Sequence, residues 1–303
     1  MSWPALLSLF CIASVSHADE ILQVTWKTAH AAPPPQFTPP ASDYLPAFRL
    51  GLAALPEAAL VALALSQPAL LGLTPQQAAE MRAPVAARYA LIAQSPVYST
   101  APSALPYCFA DKRPARGLAL VHVPEGADVQ TPVMVFLHGY GGSFLWYQHL
   151  LAEHFPRHVI ICPVYGISPA TIPPEYVEEC VQAVSTRLGR PVVQPALLGL
   201  SAGGTGVCGL FTRHPGRFER MVCLASYPPT DLLQRFPPAG KTLFIAGSDE
   251  FFVKSGDFMR RVRAVHQRAP ATEGFVVPGA DHFFLLTHAD VTMQRLRGFL
   301  TGP

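Results

Sequence analysis

The sequence predicts an α/β fold: a mainly parallel sheet flanked by helices on both faces, with an N-terminal helical extension. Beyond residue 100, short apolar runs alternate with helix-like segments, as expected when strands are joined by crossover helices. Most of the runs lack polar alternation, which is typical of strands covered on both faces. The chain has 303 residues, of which 50% are hydrophobic, and can therefore bury one large core.

Seven strands are predicted from these apolar runs. They lie at residues 118–123, 133–137, 159–162, 196–200, 221–225, 242–246 and 274–277. Helix-like segments fall near residues 144–155, 174–188, 202–214, 254–268 and 288–300. Together these elements form one predicted domain, residues 105–303.

The first 18 residues predict an export signal. Residues 4–15 form a short, mostly apolar run, and Ser16 and Ala18 are the small residues that a signal peptidase reads. No Lys or Arg precedes Lys27, so the usual positive start is missing, and a buried N-terminal helix is the alternative. We expect residues 1–18 to be removed from a secreted or periplasmic protein. The proline-rich residues 19–42 predict an extended linker.

A helical extension is predicted at residues 43–104. Thr74 can cap a helix that has Pro75 at its first position and Gln77 completing a capping box, and this helix should run to about Gln94. The apolar stretch at residues 50–73 is interrupted by Pro56, Glu57, Gln67 and Pro68. It holds no clean window of about 18 apolar residues, so we expect no stable membrane span.

Charge and cysteine usage exclude several classes of partner and cofactor. The net charge is +2 with no long basic run, which gives no reason to expect nucleic acid. No CxxC pair, dinucleotide fingerprint or Walker lysine motif occurs, so we predict no metal site and no cofactor. Removal of Cys11 with the signal would leave an odd number of cysteines, with at least one unpaired thiol. The five are Cys108, Cys162, Cys180, Cys208 and Cys223.

The strongest local motif is Gly199-Leu-Ser201-Ala-Gly203. It follows a predicted strand and precedes a predicted helix, the context in which G-x-S-x-G presents a nucleophilic serine. The turn is sharp, and a Cβ at either glycine would strike the neighbouring strand or helix. The alternative is a plain glycine-rich turn, because chance matches to the motif are common.

A second motif, His138-Gly-Tyr140-Gly-Gly, directly follows the predicted strand at residues 133–137. A tetrahedral oxyanion needs two preorganised N–H donors. We predict that the oxyanion hole is formed by the N–H of Ala202 and that of Tyr140, with Gly141 as the alternative to Tyr140. His138 is expected to brace the loop without transferring protons.

A serine nucleophile needs a base and an acid that orients the base. His282 follows the last predicted strand and is the candidate base. Asp249 follows the strand at residues 242–246 and is the predicted acid, with its neighbour Glu250 as a weaker candidate. Asp281 is adjacent to His282 and would struggle to reach the ring edge away from the serine. The order Ser201, Asp249, His282 is one of the known orders of the catalytic triad.

These motifs resemble those of the α/β-hydrolase superfamily, particularly its esterase- and lipase-like members. The resemblance covers residues 105–300 and implies hydrolysis through an acyl-enzyme at Ser201, with a small-molecule or polymeric carboxylic ester as substrate. A peptidase, amidase or thioesterase with the same triad is the alternative, and a binding protein that keeps the fold is another. About 16 residues separate the strands at 221–225 and 242–246, too few for the helical cap of many relatives. Aromatic residues offer a pocket lining: Tyr227, Phe251, Phe252, Phe283 and Phe284.

Overall fold

A computed structural model describes residues 18–34, 41–166 and 172–302. An eight-stranded sheet runs through the described part of the chain in the order β1-β2-β4-β3-β5-β6-β7-β8. β1 pairs with β2, and β2 with β4, in antiparallel orientation. All pairs among β3 to β8 are parallel. The bounds are β1 Glu20–Lys27, β2 Arg116–Val123, β3 Val133–Leu137, β4 Val159–Val164, β5 Ala196–Leu200, β6 Arg220–Leu224, β7 Lys241–Gly247 and β8 Thr272–Val277.

Helices cover both faces of the sheet. One face packs against α3 (Pro75–Gln94), α5 (Leu145–His154), α10 (Phe284–Thr287) and α11 (Ala289–Thr301). The other face packs against α6 (Pro174–Leu188), α7 (Ala202–Arg213) and α9 (Asp257–Arg268). The remaining helices are α1 (Ala41–Ala54), α2 (Glu57–Ser66), α4 (Leu105–Cys108), α8 (Phe251–Lys254) and the 3-10 helices Pro68–Leu71 and Thr230–Arg235.

The predicted fold class is confirmed, and all seven predicted strands are present. Every residue of β3 is buried, because helices lie on both sides of it. Neighbouring side chains along a strand enter opposite layers of the core, as Phe136 and Leu137 do. The predicted capping box also forms, with the Gln77 N–H donating to the Thr74 hydroxyl and the Thr74 N–H donating to Gln77 Oε1.

The linker predicted at residues 19–42 is wrong for its first part, which is the edge strand β1. Leu22, Val24 and Trp26 alternate with polar residues and point to the core side of the strand. This period-2 pattern is present in the sequence, but the prolines that follow it favoured the prediction of a linker. The predicted export signal lies outside the described residues, apart from Ala18.

The helical extension is an insertion between β1 and β2, because β1 precedes it in the same sheet. We call residues 41–108, helices α1 to α4, the helical insertion. Its longest helix, α3, buries Met81, Val85 and Tyr89 in the core layer shared with the sheet. The insertion is therefore part of the folded domain.

Three further features concern the described residues. No helix among them has the length and unbroken hydrophobicity needed to cross a membrane. Within the same ranges, no three His, Cys, Asp or Glu side chains form a group that could hold a metal ion. The five described cysteines are all buried with free thiols. Burial raises the pKa of the Cys108 thiol to about 12, which keeps it protonated.

Candidate active site

Ser201 stands on a strained turn between β5 and α7. It has φ 55° and ψ −114°, a conformation that costs a residue other than glycine about 1–3 kcal/mol. The close approach of strand and helix enforces the turn: a Cβ on Gly199 would lie 2.2 Å from the Gly203 carbonyl oxygen, and one on Gly203 would lie 2.2 Å from that of Leu137. The predicted need for both glycines is therefore confirmed.

His282 lies within hydrogen-bonding distance of this serine. Its Nε2 is 3.0 Å from Ser201 Oγ, although the two residues are 81 positions apart in sequence. The loop after β8 carries the imidazole across the carboxyl edge of the sheet. The His282 side chain is 40% exposed, so part of the imidazole is in contact with solvent.

The acidic partner of His282 is Glu250, and the prediction of Asp249 is corrected. Glu250 Oε2 lies 2.8 Å from His282 Nδ1, and its side chain is 3% exposed. Asp249 instead pairs with Lys254 at 3.0 Å, and its side chain is 53% exposed. Because a carboxylate only accepts, Nδ1 carries the imidazole proton and Nε2 is left to accept the Ser201 hydroxyl proton.

The turn after β7 explains why the second of the two carboxylates faces inward. The Gly247 N–H donates to Glu250 Oε1 at 3.2 Å, and the Glu250 N–H donates back to the Gly247 carbonyl. The Asp249 N–H donates to the Ala280 carbonyl, which leaves the Asp249 side chain outside. Sequence spacing could not decide which of Asp249 and Glu250 faces His282. The feature that decides it is the turn that starts at Gly247.

His138 braces the predicted oxyanion loop, as expected. Its ring stacks on Tyr165 with 3.8 Å between centroids, Nδ1 donates to the Gly139 carbonyl, and Nε2 accepts the Tyr165 N–H. Burial lowers the pKa of His138 to about 4, so the ring is neutral at physiological pH.

The same loop lies against Ser201. A Cβ on Gly139 would lie 3.2 Å from Ser201 Cβ, so Tyr140 follows a residue in contact with the serine. Gly141 and Gly142 have φ of 111° and 113°, which glycine adopts without strain. Ala202 begins α7, so its N–H has no acceptor within the helix. The role of the Tyr140 and Ala202 N–H groups as oxyanion donors stays a prediction.

The comparisons with known proteins agree with this fold. A family model described as the alpha/beta hydrolase fold matches residues 132–239, which include the predicted oxyanion loop and Ser201. The chain therefore has the α/β-hydrolase fold. No curated protein matches its sequence.

The chain is also similar to solved structures. A Klebsiella pneumoniae protein assigned as a dienelactone hydrolase has a TM-score of 0.50 and 18% identity, covering 62% of this chain and 94% of that chain. A Bacillus subtilis carboxylesterase has a TM-score of 0.45 and 16% identity, covering 62% and 89%. A Pyrococcus furiosus esterase has a TM-score of 0.49 and 11% identity, covering 61% and 87%. At such identities, likeness concerns the fold alone.

The aromatic residues predicted to line a pocket occupy different environments in the structure. Phe284 is fully buried and belongs to the core, so it is excluded as lining. Phe251, directly after Glu250, is 85% exposed. Tyr227 and Phe252 pack together with 4.6 Å between ring centroids. Phe283 is partly buried and stands edge-on to the His282 ring.

A separate cavity of about 260 Å³ lies at the opposite edge of the sheet. It is lined by the first residues of β3, β5 and β6, and by Arg190 and His158. Ser201 opens at the carboxyl edge, so this cavity is not the site of the proposed chemistry.

Proposed function

We propose that this protein is a serine hydrolase of the α/β-hydrolase superfamily, and that it cleaves carboxylic esters through an acyl-enzyme at Ser201. The observation that carries the proposal is the continuous relay from the Ser201 hydroxyl through His282 to Glu250, with distances of 3.0 and 2.8 Å. A serine hydroxyl is a weak nucleophile, and an oriented base is what activates it. The positive end of α7 behind Ser201 further favours developing negative charge.

Acylation follows from this arrangement. His282 Nε2 takes the Ser201 hydroxyl proton while Oγ attacks the ester carbonyl carbon, and the carbonyl electron pair moves onto oxygen. The N–H groups of Ala202 and Tyr140 hold that oxyanion. When the tetrahedral intermediate collapses, the bond to the alcohol oxygen breaks and the imidazolium of His282 protonates the leaving alkoxide. Glu250 stabilises the imidazolium and keeps its orientation.

Deacylation repeats these steps with water. His282 deprotonates a water molecule, whose oxygen attacks the acyl carbon of the Ser201 ester and forms a second oxyanion. Collapse breaks the bond to Ser201 Oγ, which recovers its proton from His282, and the carboxylic acid departs. The 40% exposure of the His282 side chain supports access of water and of the ester to the site.

The decisive test combines active-site labelling with ester hydrolysis. We expect a fluorophosphonate probe to label Ser201 in the folded protein and short p-nitrophenyl esters to be hydrolysed. Ser201→Ala should abolish both, whereas the control Ser255→Ala, at an exposed serine, should leave both unchanged. Hydrolysis at the wild-type rate in Ser201→Ala would contradict the nucleophile. An unlabelled, inactive wild type would instead indicate a binding protein that keeps the fold.

Substrate class is tested with matched ester, thioester and anilide substrates carrying the same acyl group. We expect the ester to give the highest kcat/KM. A higher value for the anilide or the thioester would indicate an amidase or a thioesterase with the same relay. A series of acyl-chain lengths, followed by an insoluble polyester, then separates soluble from polymeric esters.

We also propose that the protein is exported and cleaved after Ala18. The apolar run at residues 4–15 followed by small residues supports this. The fold makes contacts from Asp19 onward, since the Asp19 carboxylate accepts the Glu125 N–H at 2.7 Å. N-terminal sequencing of protein recovered from the periplasm or medium should begin at Asp19. An intact Met1 start, or retention inside the cell, would contradict it.

A further inference from the structure

The carboxylate of Asp281 shapes the loop that presents His282. Its Oδ1 accepts the Phe283 N–H at 2.8 Å, so the side chain folds over the backbone on the far side of His282. Its Oδ2 accepts from Gln77 Nε2 at 2.8 Å. Asp281 is not the acid of the relay. Its carboxylate links the backbone that follows His282 to Gln77 of the helical insertion.

Gln77 is itself held at the other end of its amide. Oε1 accepts the Thr74 N–H at 2.9 Å within the capping box of α3. Because this end must accept, the amide nitrogen is the end that faces Asp281. The cap therefore orients the Gln77 amide nitrogen toward Asp281. The Gln77 side chain loses little further conformational freedom when it contacts the loop.

The helix that carries Gln77 is rigidly docked. Ala78 and Met81 are buried, and α3 packs against α10, which begins two residues after His282. The polar contact between Gln77 and Asp281 thus lies at the rim of an apolar interface, and this interface limits movement of the loop.

We infer that Gln77 is a positioning residue: through Asp281, the helical insertion sets the position of His282 against Ser201. This inference rests on the proposed function. A base must lie within hydrogen-bonding reach of the proton that it takes, and a displacement of about 1 Å costs about 100-fold in rate. The insertion is thereby part of the catalytic apparatus, although it contributes no group that touches the reacting atoms.

A second contact supports the same role at the oxyanion loop. Glu57, at the start of α2, is buried and accepts the N–H of Leu145, which begins α5 directly after that loop, at 2.7 Å. The Tyr89 and Ser103 hydroxyls, both from the insertion, also donate to this carboxylate. The insertion therefore contacts both the loop of His282 and the helix that follows the predicted oxyanion loop.

The test uses Gln77→Glu in the full chain. Glutamate keeps an oxygen for the Thr74 cap but replaces the donor facing Asp281 with a carboxylate oxygen, so two like charges meet. We expect kcat for a p-nitrophenyl ester to fall about 10- to 100-fold, with KM changed less than about twofold. The matched control Gln76→Glu adds the same charge at the neighbouring exposed position, whose side chain hydrogen-bonds to Glu80 on α3, and should keep kcat.

Rescue separates positioning from folding. In Gln77→Glu/Asp281→Asn the direction of the hydrogen bond is reversed, and the oxygen of the introduced amide can still accept the Phe283 N–H; we expect at least half of wild-type kcat to return. The low-field NMR resonance of the His282 Nδ1 proton should shift or broaden in Gln77→Glu and return in the double variant, whether or not ester hydrolysis is found. Wild-type kcat in Gln77→Glu, an equal loss in Gln76→Glu, or no rescue would overturn the inference. An unlabelled wild-type Ser201 would instead overturn the proposed function.

Discussion

Glu250 illustrates how a single side chain is selected by its direction. Asp249 and Glu250 follow the same strand, and both are near the loop of His282. The hydrogen bonds between Gly247 and Glu250 turn the glutamate side chain inward, while the Asp249 side chain pairs with Lys254 at the surface. A surface ion pair of this kind contributes at most about 1 kcal/mol and needs no catalytic role.

The two carboxylates should therefore respond differently to removal of charge. Glu250→Gln keeps the shape but can no longer orient the Nδ1 proton or stabilise the imidazolium, so kcat should fall on the order of 10³- to 10⁴-fold. Asp249→Asn should change kcat less than about threefold. Steady-state kinetics with one p-nitrophenyl ester decides this. If Asp249→Asn were the more damaged variant, the assignment of Glu250 would be wrong.

Glu57 predicts a pH dependence of stability. Burial raises the pKa of this carboxyl above its ordinary value of 4.5, against the lowering effect of its hydrogen bonds. The folded protein thus binds its proton more tightly than the unfolded chain does. The stabilising effect is complete below pH 4.5 and is lost as the pH rises through the folded-state pKa.

Glu57→Gln should reduce this pH dependence. An amide keeps an oxygen for the Leu145 N–H and Tyr89 hydroxyl, and its nitrogen can donate to the Ser103 hydroxyl. We expect the free energy of unfolding, measured by denaturant titration from pH 4 to 8, to fall less steeply with rising pH than in the wild type. Glu80→Gln, an exposed change on α3, is the control and should leave the slope as it is. Equal slopes in wild type and Glu57→Gln would exclude this role.

At the scale of elements, the turn that carries Ser201 depends on the close approach of α7 to the strands. Gly199, Gly203 and Gly204 lie where a Cβ would meet backbone or side-chain atoms within 3 Å. Gly209, farther along the same helix, has no atom within 4 Å of such a Cβ. Thus α7 contains one glycine that packing does not require, and this provides an internal control.

Gly203→Ala should destabilise the protein by about 1–3 kcal/mol or more, because its Cβ would overlap the Leu137 carbonyl and push α7 away from the sheet. Probe labelling of Ser201 should slow in parallel. Gly209→Ala should stabilise by about 0.5–1 kcal/mol, since alanine favours helix. Thermal denaturation and labelling rates check both variants. Similar stability in the two would mean that α7 does not need this close packing.

At the scale of the whole molecule, the helical insertion and the sheet share one hydrophobic layer. Residues of α3 pack with those of β2, β3, α5 and α10 in a single cluster. Elements that share a core are expected to unfold together. We therefore predict one cooperative transition for the insertion and the sheet.

Met81→Ala tests this prediction, because Met81 is 2% exposed on α3. We expect the whole transition in calorimetry to move to lower temperature, with a loss of about 2–5 kcal/mol. Leu63→Ala, on the exposed side of α2, should shift stability by no more than about 0.5 kcal/mol. Two separate transitions, of which only the smaller one moved, would show that the insertion folds independently.

Much of the fold and two of the three relay residues follow from local sequence. The strand bounds at residues 133–137 and 196–200, the cap at Thr74 and the turn around Ser201 are set by neighbouring residues, so pattern and turn chemistry predict them. His282 follows from its place after the last strand. The period-2 pattern of β1 is also local, but the proline-rich residues that follow it favoured the prediction of a linker.

The tertiary structure alone decided the acid and the role of the insertion. Asp249 and Glu250 are equivalent in order and spacing, and only the folded turn sets which side chain faces His282. The contact between Gln77 and Asp281 joins residues 204 positions apart, and no local propensity encodes such a pairing. Local sequence determines how a segment bends, whereas packing between distant segments determines which side chains meet.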